Sequence, residues 1–149
     1  MESIEYLKNM NAEFRIIHLS EIPKTTRDVE RLYGCPLQQV LKTLVFVGDN
    51  PVIAVLPGDR KASLSKLNEI TKQNNLRIAK PDEVLRITGY SVGGVTPFCI
   101  KNKAEKIMDK GVFKNKTVNI GSGKAEIGIE LKTEKLKEIW DGIIADISE

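Results

Sequence analysis

The chain has 149 residues, of which 41% are hydrophobic and 29% charged, with a formal charge of +3 at neutral pH. That balance excludes a disordered or low-complexity chain, and the length suits one domain over residues 1–149 with a sizeable core. Apolar runs such as Val40 to Val47 are interrupted and far short of a membrane span, so no membrane partner is expected.

The chain begins with a predicted helix from Ser3 to Met10, with Ser3 as N-cap, and a strand from Phe14 to Leu19. Thr26 to Tyr33 fits a helix capped by Thr26 and closed by Gly34. Pro36 starts a turn that feeds the β-rich run Leu41 to Val47. Gly48-Asp49-Asn50-Pro51 then signals a hairpin to Val52–Leu56. A helix capped by Ser63 or Ser65 runs to Lys72, Leu76 to Ala79 is a short strand, and Pro81 to Thr88 is a helix ending at Gly89. After a glycine loop come strands at Phe98–Lys101, around Ile107 and Val118, and at Ile127–Leu131. Thr133 caps a last helix to Trp140, and Ile143 to Ile147 closes the fold. Runs of strands with interspersed helices imply an α/β class: a mixed, largely antiparallel, partly barrel-like sheet flanked by helices.

Most catalytic sets are missing. The one histidine, His18, lies in a strand-like run and reads as structural. Cys35 and Cys99 lack metal-ligand spacing and read as reduced thiols of a cytoplasmic protein; no metal and no cofactor is expected. The N-terminus lacks the basic stretch and apolar core of a secretory signal. Gly121-Ser122-Gly123-Lys124 matches only part of a phosphate loop.

Three features stand out. Strand periodicity places Lys42 on one face with Leu44 and Phe46, where a lysine must snorkel, pair with an acid or serve a site. The segment Thr88-Gly89-Tyr90-Ser91-Val92-Gly93-Gly94-Val95-Thr96-Pro97-Phe98 fixes an unusual backbone path, and paired glycines let a ligand approach exposed N–H groups. Lysines at 101, 103, 106, 110, 114, 116 and 124 crowd a stretch opposed only by Glu105, Asp109 and Glu126. Read alone, that run is equally a phosphate-contacting patch or a solvated surface.

Taken in this order, Val40-Leu41-Lys42-Thr43-Leu44-Val45, Gly89-Tyr90 with Gly93-Gly94-Val95-Thr96-Pro97-Phe98, Gly123-Lys124 leading to Ile129-Glu130-Leu131, and Ile144-Ala145-Asp146-Ile147 are specific. The chain resembles the YbaK and prolyl-tRNA-synthetase-associated editing-domain family of aminoacyl-tRNA deacylases, from Phe14 onward. The resemblance implies hydrolysis of the ester on the acceptor end of a mischarged aminoacyl-tRNA carrying a small amino acid such as alanine or cysteine, with tRNA-Pro one candidate. No protein nucleophile is required, because a ribose hydroxyl of the substrate helps activate water. It also implies catalytic roles for Lys42, Gly93 and Gly94, and substrate contacts from Val95, Thr96, Pro97, Gly121, Ser122 and Gly123. tRNA contacts are then expected from Lys101, Lys103, Lys114 and Lys116. Association with a synthetase stays open, and so does a non-catalytic tRNA- or partner-binding module of the same fold. Leu19, Ala125, Glu126 and Gly128 depart from the pattern of bacterial members and bear on the substrate amino acid.

Overall fold

A computed structural model describes all of residues 1–149. In chain order the elements are α1 (Glu2–Asn9), β1 (Phe14–His18), α2 (Thr26–Tyr33), a one-turn 3₁₀ helix (Leu37–Gln39), β2 (Leu41–Val47) and β3 (Val52–Pro57). They continue with α3 (Leu64–Thr71), β4 (Arg77–Ile78), α4 (Pro81–Thr88), β5 (Glu105–Asp109) and a 3₁₀ helix (Lys110–Lys114). The last are β6 (Thr117–Gly121), β7 (Ile127–Lys132), α5 (Thr133–Ile139) and β8 (Ile143–Ala145).

The expected mixed sheet is two sheets and does not close into a barrel. One is antiparallel in the order β1-β7-β6; the other runs β4-β2-β3-β5-β8. β2 is antiparallel to β3 and β4, whereas β3–β5 and β5–β8 are parallel. Each parallel pair is joined through intervening helices and strands, as a parallel connection requires. A single parallel bridge, Val40 with Asn119, ties the two sheets together below β2.

The core follows strand alternation. β3 reads Val-Ile-Ala-Val-Leu-Pro, and every residue is buried, because strands flank it on both sides and side chains cover both faces. Val52, Ala54 and Leu56 join Leu67 of α3, Phe46 and Ile107 on one face. On the other, Ile53 meets Val84 and Ile87 of α4, while Val55 joins the largest cluster. That cluster packs α1 and α5 against the three-stranded sheet through Leu7, Leu136, Ile139, Trp140, Val118, Ile120, Ile129 and Leu131.

Local capping differs from expectation in three places. Thr25, not Thr26, caps α2 by accepting the Asp28 N–H, and Thr133 is the first residue of α5. Ser3 does not cap α1; its buried hydroxyl donates to the Ser122 carbonyl at 2.5 Å. Long-range contact has taken the side chain that local rules assign to a helix end. Ser63 caps α3, and Gly34 and Gly89 close α2 and α4 in the left-handed conformation. Phe98–Lys101 is not a strand. Phe98 instead stacks on Tyr6 of α1, with ring centroids 5.1 Å apart, and Cys99 adopts a φ of 55°.

Candidate active site

The gap between the two sheets is the candidate site. β4 pairs with β2 only at Phe46 and Val47, so the Leu41–Val45 stretch of β2 has no strand on that side. Ala79 closes the upper end by donating its N–H to the Val45 carbonyl, and the Val40–Asn119 bridge closes the lower end. Between them lies a cleft of about 490 Å³. Its walls are Leu41 to Val45 of β2, Thr26, Val29 and Tyr33 of α2, Ile78, Ala79 and Val84 near α4, and Val92, Gly93 and Val95 of the glycine loop. Pro23, Leu37, Val40, Gly58, Gly121 and Ala125 complete it.

Lys42 is the one charged side chain in that lining. It takes part in none of the chain's salt bridges. Burial pushes its ammonium below the ordinary lysine value; nearby Asp59 pulls the other way and Lys61 adds to the depression. A half-buried, unpaired cation against apolar walls is costly in the free protein and ready for an anionic or strongly polar ligand.

The glycine loop splits into two parts. Gly93 has φ 91°, a region that favours glycine, and a side chain built there would meet nothing within 4 Å. Gly93 and Val95 both line the cleft. Gly94 was expected to present its N–H beside Gly93, but that N–H donates to the Ser91 carbonyl at 3.0 Å. Its Cβ direction also faces the Gly123–Ala125 backbone, with Ala125 N at 3.1 Å, so Gly94 serves as the contact between two loops. Thr96 and Pro97 are buried behind the wall and do not line the cleft. Thr96 accepts the Phe98 N–H through Oγ1 at 3.4 Å.

In the second loop only Gly121 reaches the cleft, and a Cβ there would lie 2.2 Å from the Val95 carbonyl oxygen. Ser122 is buried and donates to the Ile127 carbonyl at 2.6 Å, while Tyr90 packs its ring on Gly123. Both residues hold the turn; neither is part of the cleft wall.

The four lysines expected to meet tRNA do not form one patch. Lys101 and Lys103 precede β5 and Lys114 and Lys116 follow it, so a strand of roughly 16 Å separates the pairs. Lys101 packs on Gly89 at the end of α4. Lys114 instead lines a polar hollow with Asp59, Arg60 and Lys66, next to the Pro57–Gly58 turn whose Gly58 borders the main cleft. His18 is exposed on β1 and is absent from the cleft.

Sequence reasoning missed most of the apolar lining. Thr26, Val29 and Tyr33 carried a signal, since their spacing puts them on one face of α2. Ile78, Ala79 and Val84 come from elements that only the fold brings opposite β2.

The family model of the aminoacyl-tRNA editing domain matches residues 21–139. The chain belongs to that family. It is 25% identical over 148 residues to the proline–tRNA ligase of Thermosipho melanesiensis, covering 97% of this chain and 26% of the ligase. It therefore spans about a quarter of that relative's length. A protein of Enterococcus faecalis named as a candidate Cys-tRNA(Pro)/Cys-tRNA(Cys) deacylase, EbsC, is 27% identical over 131 residues, covering 87% of this chain and 80% of that protein. The crystal structure of a candidate trans-editing enzyme for prolyl tRNA synthetase superposes with a TM-score of 0.88 at 22% identity, covering 99% of this chain and 96% of the other. No helix is long and apolar enough to cross a membrane.

Proposed function

We propose that the chain is a trans-editing deacylase that hydrolyses the ester bond of mischarged aminoacyl-tRNA in the cytoplasm. Family membership supports the reaction class, and the names carried by the Enterococcus faecalis relative and the superposed structure point the same way. The observation that carries the reading is Lys42, a lone unpaired ammonium inside an otherwise uncharged cleft. It holds the terminal phosphate or ribose of the acceptor end and steadies negative charge as it develops on the ester.

No serine, cysteine, histidine or carboxylate lines the cleft. Water attack therefore relies on the substrate's own free ribose hydroxyl, which lies beside the ester in any aminoacyl-adenosine. Gly93 and Val95 belong to the cleft lining and neither gives its N–H to a backbone carbonyl, so these two N–H groups are the donors for the ester carbonyl oxygen. The apolar walls suit a small uncharged amino acid such as alanine or cysteine, and the proline–tRNA ligase relatives make tRNA-Pro the first tRNA to try. The acceptor stem is held by lysines outside the cleft.

The test is release of labelled amino acid from a panel of mischarged tRNAs, with Lys42→Ala beside wild type. Catalysis predicts turnover on at least one ester and its loss in the variant. Tight binding of the panel with no release would identify a non-catalytic tRNA-binding module instead.

A further inference from the structure

We infer that Tyr33 and Gly128 act as one gauge that sets how large an acyl group the cleft admits, an inference that rests on the deacylase reading. Tyr33 is the last residue of α2 and lines the cleft. Its ring edge occupies the space a side chain at Gly128 would fill: a Cβ there would lie 2.5 Å from both Cε1 and Oη and 2.8 Å from Cζ. Gly128 is buried in β7, and its φ lies outside the positive region, so its backbone is one that any residue adopts. What excludes a side chain at 128 is the tyrosine ring.

The same place is thin from the other side. Gly121, directly across from Gly128 on β6, borders the cleft and has no side chain either. The missing side chains leave two neighbouring notches in the wall, one filled by the Tyr33 ring over Gly128 and the other by the Val95 carbonyl over Gly121. A methyl group at 128 has to displace the ring tip, and that ring is part of the cleft lining. Removing the ring opens the notch to the substrate. The ligands concerned are tRNA-linked amino acids graded by apolar side-chain size.

Single-turnover hydrolysis of alanyl-, valyl- and leucyl-esters of one tRNA reads the gauge. Competition binding of the matching non-hydrolysable 3′-aminoacylamino-adenosines reads it without turnover. Tyr33→Ala should raise the leucyl-to-alanyl ratio by at least about tenfold, the scale of a methylene-sized fit difference. Tyr33→Phe keeps the ring and should leave the ratio at the wild-type value. Gly128→Ala should lower the valyl-to-alanyl ratio, and this effect should vanish in the Tyr33→Ala background. Where Tyr33→Ala does not fold, Tyr33→Val carries the same expectation. A ratio indifferent to Tyr33, or a Gly128→Ala effect of equal size with and without the ring, overturns the gauge. Size-graded binding without hydrolysis in wild type would sink the deacylase reading and leave the gauge standing. Neither binding nor hydrolysis of any of these would sink both.

Discussion

At the residue scale the decisive balance is at Lys42, where a desolvated ammonium is kept without a partner. Its depressed pKa means that the unfolded chain binds this proton more readily than the folded one. At neutral pH both states are protonated, so the folded state bears the full desolvation cost, which disappears only as pH rises through the lysine range. Lys42→Met keeps the stem and removes the charge. We expect it to lower single-turnover hydrolysis about 10²–10³-fold, the scale of losing one preorganised electrostatic contact. Its melting temperature should equal or exceed that of wild type, read by thermal unfolding at pH 7. A variant that is both inactive and less stable would mean that Lys42 holds structure. The same shift has a kinetic consequence. Once spontaneous ester hydrolysis is subtracted, enzyme-catalysed turnover should fall as pH climbs past a point below the ordinary lysine pKa, and that fall should be absent from the residual activity of Lys42→Met.

At the element scale, tight backbone approaches build the cleft. Gly58, in the turn after β3, would place a Cβ 2.6 Å from the Val40 carbonyl oxygen and 2.7 Å from that of Leu37. Neither backbone oxygen can swing away as a flexible side chain would. Gly58→Ala should cost about 1–3 kcal/mol of stability, as overpacking does, and shift the lower wall of the cleft. Urea titration gives the stability, and a midpoint equal to wild type would show that the turn relaxes freely. β5 sets a second expectation by splitting the lysines. Lys114 and Lys116 lie at the end of β5 that adjoins the Pro57–Gly58 turn and Lys42. Their reversal to glutamate should flatten the log–log salt dependence of tRNA binding by roughly 0.9 per lost duplex phosphate contact. Reversal of Lys101 and Lys103 should leave the slope unchanged. The opposite pattern would move the acceptor stem to the α4 side.

At the scale of the whole molecule, the fold sets a rigid sheet against a lightly held helix. β3 is buried at every position, with strands on both sides. α2, which forms one wall of the cleft, has no fully buried residue, and its salt bridges, Arg31 with Glu21 and Asp28, are exposed. Such pairs add little stability. Native-state hydrogen exchange should therefore show β3 amides opening only with global unfolding, while α2 amides exchange through a smaller local opening. Equal protection in the two elements would contradict a wall that opens on its own.

The sequence by itself determined most of the elements and singled out Lys42. The bounds of α2, β2 and α4 follow from periodicity, proline at a helix start and glycine at its end, all local effects that act over a few residues. Lys42 was legible because a charge breaks an apolar β pattern. Tertiary structure alone decided which glycine-loop groups face the cleft. Gly93 and Gly94 are neighbours of the same type, yet one opens on solvent and the other is spent on Ser91 and the Gly123–Ala125 backbone. It also took Ser3 from its helix cap to Ser122, parted the lysine run along β5, and seated Tyr33 on Gly128. Each of these outcomes depends on a surface far away in sequence, whose position is set by how the two sheets pack and which no local pattern encodes.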